Sequence, residues 1–590
     1  MAKMLPKTDA VIVGSGWAGG IAAAELTKKG YKVVGLERGK AQVREDFIGS
    51  KDELRYDSRK VMFQDLSKET LTIRNTTDEV ASPNRSNDTN AINGTDTGGS
   101  GVHWNGMVYR WLPTDFEIYS KTVEKYGEKI IPKDMRLQDW GITYDELETY
   151  YDKFEKATGI SGEPDPLRPG QRSNDYPTPP QKETEIIRTF TKAAKELGYH
   201  PYRIASANLS EGYTNPDGET INGCVYCAFC ESFGCDFGAK ADPIATVLAT
   251  ASKTGNFELR NNAYAVRVIH ENGKATGIKY VDTETGEEFI QPADLVVVSG
   301  FVFSNTRLML LSGIGKPYNP QDETGVIGKS LTAHQRNLTH TRVRGFFDER
   351  KFNRYAGTGA LGVTMDDFNV EQLDHNKLDF LHGFCLRTSQ RGDRPISNNH
   401  VPDGTPSWGP EFKEKSLFYA NRRIDVQQQN GALPWRENYM DLDPTYRDIF
   451  GDPLLRVTSK FHDQDRNIVK YAHQRGKELL EQMGADYITV PDINEETEFD
   501  KTSLSDHTGG GVIMGENPET SAVNNYSQVW DMDNLFVVGA SSFPHLSSSN
   551  PTATVGALAY RAAEGMIKFL ENGGGQLIQD GKEATAATKG

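Results

Sequence analysis

The sequence predicts an α/β fold, α+β overall. A Rossmann-like nucleotide-binding domain with a β-meander, assembled from discontinuous segments, is joined to a second, sheet-based substrate domain. Three observations predict it. Gly14-Ser-Gly16-Trp-Ala-Gly19 follows a short apolar run, opens a segment rich in small residues and precedes an acid, Glu37. Residues 258–300 read as strands broken at Asn272–Gly273 and Thr285–Gly286, a three-stranded meander followed by a buried strand. Near the C-terminus a strand, a turn of small residues (Gly539, Ala540, Ser541, Ser542) and a long helix recur in MDNLFVVGASSFPHLSSSNPTATVGALAYRAAEGMI.

Residues 9–37 form a βαβ unit: DAVIVG is a buried strand, the helix ends at Gly30, and YKVVGLE closes on Glu37. The first glycine allows the tight turn, the second lets a pyrophosphate approach the backbone, and the third lets the helix lie close to the sheet. Phosphates then sit at the positive end of the helix, with Glu37 positioned to accept from a ribose. Residues 66–92 are polar and without periodicity, which predicts a long surface loop. Apolar spacing predicts a helix over 141–157 and an amphipathic helix over 464–483, with Ile468, Tyr471, Ala472, Leu479 and Met483 on one face. Aromatic strand-like runs between Pro- and Gly-rich loops fill 330–460. The resulting division places the nucleotide domain at 1–120, 216–330 and 496–572. A cap segment occupies 121–215, the substrate domain 331–495, and a disordered tail 573–590.

With 590 residues, 37% apolar and 10% aromatic, the chain has ample material for a buried core. The formal net charge of −16 argues against nucleic acid and anionic membranes as partners. No stretch approaches the roughly twenty apolar residues of a membrane span. The N-terminus, MAKMLPKTDAVIVG, has no apolar signal core. A cytoplasmic location is therefore expected, with membrane association or export only through a partner subunit. The Asn-x-Ser/Thr triplets at Asn75, Asn93 and Asn208 read as chance matches.

Four of the five cysteines, Cys224, Cys227, Cys230 and Cys235, fall in NGCVYCAFCESFGC; only Cys385 lies outside. Their spacing suits a metal centre and is nearer to ferredoxin-like iron–sulfur ligation than to paired zinc knuckles. Buried free thiols or a disulfide are the alternatives.

Together the segments resemble the glucose–methanol–choline (GMC) oxidoreductase family. Four separated blocks carry the likeness. They are the N-terminal fingerprint, Gly98-Gly-Ser-Gly-Val-His-Trp-Asn105-Gly, Ser304–Gly315, and the pairing of His507 in SDHTGGGVIMG with Asn550 in SSNPTATVGALA. The third block departs from the family pattern at Phe301 and Asn305. Within the family the likeness runs towards the flavoprotein subunit of gluconate 2-dehydrogenase and related sugar and polyol dehydrogenases. The stretches NGCVYCAFCESFGCDFGAKADP, NYMDLDPTYRDIFGDPLLRVT and HTGGGVIMG carry it.

The resemblance implies an FAD site drawn from Gly14, Gly16, Gly19, Glu37, Arg38, Gly98, Gly99, Ser100, His103, Asn105, Val266, Gly539, Ala540, Asn550, Pro551 and Thr552. Val102-His103-Trp104 is also similar to the element of pyranose oxidase whose histidine bonds the flavin, so His103 is a candidate for a histidyl–FAD link. A histidine hydrogen-bonded in a turn is the alternative. The resemblance further implies His507 as the base that takes the alcohol proton and Asn550 as donor to the same oxygen, with His545 the rival base. Some sugar dehydrogenases of the family carry a 3Fe–4S cluster, so the cysteines are candidate ligands of an electron exit. A dehydrogenase for a secondary alcohol of a sugar, a gluconate-like sugar acid or a polyol follows. A small subunit and a cytochrome or quinone are its expected partners. The competing readings are a pyranose or glycoside oxidase, acting at carbon 2 or carbon 3 and making peroxide, and a non-catalytic flavin-binding subunit. Arg110, Arg456 and arginines between 387 and 423 are available for a substrate carboxylate.

Overall fold

The computed structural model describes residues 2–49, 51–85, 93–334, 341–393, 399–493, 504, 507–579 and 582–583. Strand β1 (Thr8–Val13), helix α1 (Trp17–Lys28) and strand β2 (Val33–Leu36) form the expected βαβ unit, with β1 and β2 parallel. All of β2 and the centre of β1 are buried, as expected of parallel strands covered on both faces. Helix α2 (Tyr144–Thr158) begins with a capping box, in which Thr143 accepts from Glu146 N and the Glu146 carboxylate accepts from Thr143 N. Its Leu147, Tyr151 and Phe154 are buried, each contributing roughly 1.5–3 kcal/mol by leaving water.

Strand β3 (Phe257–Arg260) pairs parallel outside β2. The meander follows as β4 (Ala263–Glu271), β5 (Lys274–Asp282) and β6 (Glu288–Val298), with its first turn at Asn272–Gly273. Strand β6 belongs to two ladders. Glu288–Pro292 pairs antiparallel with β5, and Ala293–Val298 continues parallel to β1. Helix α3 (Val302–Ser312) leaves the end of β6.

The second domain is built on β7 (Arg342–Phe346), β8 (Gly362–Met365), β9 (Phe384–Ser389) and β10 (Arg423–Asn430), antiparallel in the order β7-β10-β9-β8. One face buries Val343, Leu386, Ile424 and Val426 against helix α4 (Asp463–Gln482), whose Ile468, Val469, Ala472, Leu479 and Leu480 complete this core. The period-two alternation of strands then puts Arg342, Arg344, Cys385, Arg387, Asp425, Gln427 and Gln429 on the other face. That face meets the first domain, where Cys385 Sγ donates to Ser548 O. The chain then returns to the first sheet as β11 (Met532–Val537), parallel to β6, giving the order β3-β2-β1-β6-β11. Helix α5 (Thr552–Asn572) packs on α1 and α2 so closely that a Cβ at Gly556 would meet the Phe154 ring at 2.2 Å.

Two expectations need correction. The loop expected over 66–92 contains strands Thr72–Arg74 and Ser82–Pro83, because the first pairs with Pro453–Thr458 far along the chain. Such a pairing leaves no local periodicity, and 86–92 lie outside the described residues. The disordered tail expected over 573–590 is ordered where it is described, since Leu577 and Ile578 are buried against the main core; 580–581 and 584–590 lie outside the described residues. Among the described residues no helix is long and apolar enough to cross a membrane.

Candidate active site

A single cleft runs along the carboxyl ends of β1, β2, β6 and β11, the place where open α/β sheets bind ligands. Its lining brings together residues that the sequence scatters over more than 500 positions: Gly14, Gly16, Glu37, Arg38, Gly99, Ser100, His103, Asn105, Val266, His507, Gly539, Ala540, Asn550, Pro551 and Thr552. Gly19 and Gly98 shape the wall from behind. A Cβ at Gly19 would lie 2.0 Å from Gly14 O, so this glycine lets α1 close onto the fingerprint turn, and Gly14 itself has φ +92°.

Ser15 ties the first two sequence blocks together. Its hydroxyl donates to Glu37 Oε2 at 2.7 Å and accepts from Gly98 N at 3.0 Å. Glu37 also accepts from Ser15 N and Gly39 N, yet burial holds its pKa above the usual carboxylate range. The register of β4 shifts between Ala265 and Arg267, leaving Val266 in a bulge at the cleft. The departures at Phe301 and Asn305 also find a reason. Phe301 takes φ +81° before α3, while Asn305 accepts from Gly300 N at 2.6 Å and donates to Ser541 Oγ at 2.9 Å, joining the two nucleotide strands.

His103 is buried, its ring 4.2 Å from that of Phe63, and its carbonyl accepts from Ser232 N at 2.8 Å. The cysteine segment therefore abuts the cleft, and Glu231 and Ser232, between Cys230 and Cys235, line it. The four cysteines are free thiols, and the non-glycine residues Tyr226, Ala228 and Ser232 among them take positive φ. Tyr226 N donates to Cys224 Sγ and Ala239 N to Cys235 Sγ. Burial pushes the Cys224 thiol up to about 12. Lys240 Nζ, fully buried, donates to the carbonyls of Trp104, Cys230 and Phe233.

At the other end of the cleft lies a hydrogen-bonded chain. His334 Nε2 is 2.7 Å from Ser547 O, His334 Nδ1 is 3.1 Å from His507 Nδ1, Asn550 Nδ2 is 3.2 Å from His507 Nε2, and Arg387 Nη1 is 2.8 Å from Asn550 Oδ1. The two ends fix its direction, because a carbonyl can only accept and a guanidinium can only donate. His334 must donate through Nε2, and burial together with His507 holds its pKa well below the usual imidazole range, so its Nδ1 is unprotonated. His507 then donates through Nδ1, which leaves a lone pair on Nε2 facing the Asn550 amide. Sequence reasoning missed His334 and offered Arg387 only as one of several arginines for a substrate carboxylate. His334 follows strand Thr332–Ala333, whose antiparallel pairing with Thr508–Gly509 brings it to His507, while Arg387 reaches Asn550 from β9.

His545 does not face this point. Its Nδ1 accepts from Trp140 Nε1 at 3.2 Å, and its Nε2 lies 3.5 Å from Asp115 Oδ1, which also meets His382 Nε2 at 2.8 Å. Among the described residues these three are the one set of three metal-capable side chains with ligand atoms within 4.8 Å. The Trp140 bond, however, leaves the proton of a neutral His545 on Nε2, the nitrogen a metal would need. The set is a buried hydrogen-bonded cluster centred on Asp115, whose carboxyl is held well below its usual range, against the cost of burial, by its bonds to the two histidines.

The fold and cleft define a dinucleotide-binding oxidoreductase. The GMC oxidoreductase family description matches residues 136–336 and 434–559. The chain is 40% identical to the gluconate 2-dehydrogenase flavoprotein of Pantoea cypripedii, over 98% of this chain and 96% of that one. It is 29% identical to 2-methyl-1,2-propanediol dehydrogenase of Mycolicibacterium austroafricanum, over 95% of each. It is also similar to the fructose dehydrogenase large subunit of Gluconobacter japonicus, at 23% identity over 81% of each. Formate oxidase of Aspergillus oryzae RIB40 shares the fold with a TM-score of 0.63 at 15% identity, covering 96% of this chain and 98% of that one. The chain belongs to the GMC oxidoreductase family. It is an FAD-dependent oxidoreductase acting on CH–OH groups.

Proposed function

We propose that the protein is a dehydrogenase oxidising a secondary alcohol of a sugar, sugar acid or polyol, with His507 as base and electrons passing to an acceptor other than oxygen. The polarity of the Ser547–His334–His507–Asn550–Arg387 chain carries this reading. His507 Nε2 has the lone pair that takes the hydroxyl proton, and Asn550 Nδ2 donates to the same oxygen as charge develops there. Arg387 keeps the Asn550 amide from turning over, and His334 accepts from His507 Nδ1 as the ring becomes cationic. Both reacting side chains are buried, which keeps bulk water away.

The cleft fits FAD on three counts. Gly14 and Gly16 leave the backbone open at the amino end of α1, Glu37 stands where a ribose would bond, and the buried Trp17 Nε1 donor has no partner among the described residues. When bound, FAD supplies the hydride acceptor. His103 is the candidate for a covalent link to it, and the purified protein denatured in acid would then keep its flavin. Cys224, Cys227, Cys230 and Cys235 would hold an iron–sulfur centre, which would supply one-electron acceptance. Backbone N–H groups on two sulfurs support that assignment. The relatives named as a flavoprotein and a large subunit support a small subunit and a cytochrome or quinone acceptor as partners.

The test is anaerobic flavin reduction by a panel of sugars, sugar acids and polyols, with iron and sulfide analysis on the same preparation. His507→Ala should keep its flavin and be reduced orders of magnitude more slowly; normal reduction removes His507 as base. Stoichiometric peroxide under air would favour the oxidase reading that His103-Trp104 suggested.

A further inference from the structure

The polar face of the second sheet carries more donors than its own acceptors use. Arg342, Gln427 and Arg387 stand opposite one another on the adjacent strands β7, β10 and β9. With strands about 4.8 Å apart, the row spans about 10 Å, the scale of a six-carbon chain. One end of it is the Arg387–Asn550 bond. Arg387 Nε and Nη2 donate to the carbonyl oxygens of Gln427 and Gln429, at 3.2 and 2.8 Å. The amide nitrogens of both glutamines are thereby turned elsewhere. Both side chains are fully buried, and neither nitrogen has a partner among the described residues. At the other end Arg342, partly buried, makes no hydrogen bond or ion pair among the described residues.

Arg342 is not among the arginines expected for a carboxylate; of that set Arg394 lies outside the described residues, and the following are already engaged. Arg110 grips Glu155 and Glu148, Arg456 grips Asp441, Arg391 grips Glu231, and Arg423 grips Asp425. Burial and the like charges of Arg391 and Arg344 push the Arg342 pKa down. A guanidinium does not release its proton under such pressure, so the relief open to it is a bound anion. Buried donors without acceptors are rare in native proteins and call for a ligand rich in acceptor oxygens.

We propose that this face selects an anionic sugar acid, Arg342 pairing with the substrate carboxylate and the Gln427 and Gln429 amides donating to its oxygens. The inference rests on reading the cleft as an alcohol-oxidising site, and deepens that reading by naming the substrate class and the residues that recognise it.

The experiment compares the concentration dependence of anaerobic flavin reduction by D-gluconate and by D-glucitol, its uncharged counterpart, in the wild type, Arg342→Gln, Arg342→Lys and His507→Ala. Flavin content and melting temperature serve as checks on folding. Losing a charge-assisted contact should raise half-saturation for gluconate in Arg342→Gln roughly 10- to 100-fold. Half-saturation for glucitol should rise at least several-fold less than that for gluconate, the limiting rate should fall less than half-saturation rises, and Arg342→Lys should recover part of the loss. Equal effects on both substrates, or none on gluconate, overturn the proposal. Wild-type flavin reduced by neutral sugars but by no sugar acid also overturns it, while leaving the dehydrogenase reading intact. Conversely, rapid reduction of His507→Ala by gluconate would remove the base assignment and leave the carboxylate site standing.

Discussion

Replacing His334 by leucine tests the hydrogen-bonded chain at a residue remote from the substrate. His334 is fully buried and spans 2.7 Å to Ser547 O on one side and 3.1 Å to His507 Nδ1 on the other. Before reaction its bond to His507 is neutral and contributes about 1 kcal/mol. Once His507 has taken the substrate proton the same bond is charge-assisted and contributes about 1.5–3 kcal/mol. Leucine removes that stabilisation and also frees the neutral His507 to carry its proton on Nε2, the wrong nitrogen for a base. Only the difference, about 0.5–2 kcal/mol, acts on the rate, and at 1.36 kcal/mol per tenfold flavin reduction should slow roughly 2- to 30-fold, with the tautomer change adding to it. Anaerobic stopped-flow reduction at saturating substrate measures it. His334→Gln, whose amide oxygen can still accept, should lose less than His334→Leu. A leucine variant that keeps its flavin and is reduced at the wild-type rate would refute the reasoning. So would one as slow as His507→Ala, because a positioning residue cannot cost as much as the base it positions.

Other outcomes follow from the same geometry. Gly19→Ala places a Cβ against Gly14 O and should yield protein of low flavin content, read as the flavin-to-protein absorbance ratio. Arg110→Met leaves Glu155, which is 1% exposed, with Arg172 alone, and should cost about 3–5 kcal/mol in denaturant unfolding. Burial lowers the His473 pKa to about 4, against 6.5 for the ordinary group. The unfolded chain therefore binds the proton first, and this site's contribution is fully present above pH 6.5 and is lost as pH falls towards 4. His473→Gln should accordingly flatten the decline of melting temperature between pH 6.5 and 4.5.

Much of the nucleotide site was legible because its chemistry is local. Gly14 must take a positive φ, Gly19 must lack a Cβ, and Glu37 must close the next strand, so each leaves a mark within one βαβ unit. The meander was legible for the same reason, its Asn272–Gly273 turn fixing the hairpin register. Strand Thr72–Arg74 left no such mark, since its pairing partner lies nearly 400 residues away.

The sequence by itself determined the kind of fold and the cofactor cleft, because glycine conformations and hydrophobic period are written along the chain, while the His507–Asn550 pair was implied by the family resemblance. The tertiary structure alone decided which way that pair is polarised. Arg387 meets it because the second sheet turns its polar face onto the first domain, and His334 because strand Thr332–Ala333 pairs with Thr508–Gly509 beside His507. It also decided which arginines are left for an anion, Arg342 and Arg344 having no side-chain ion pair among the described residues. Charge pairing is a property of distance in space, and Arg110 and Arg342 look alike until Glu155 is seen beside the first.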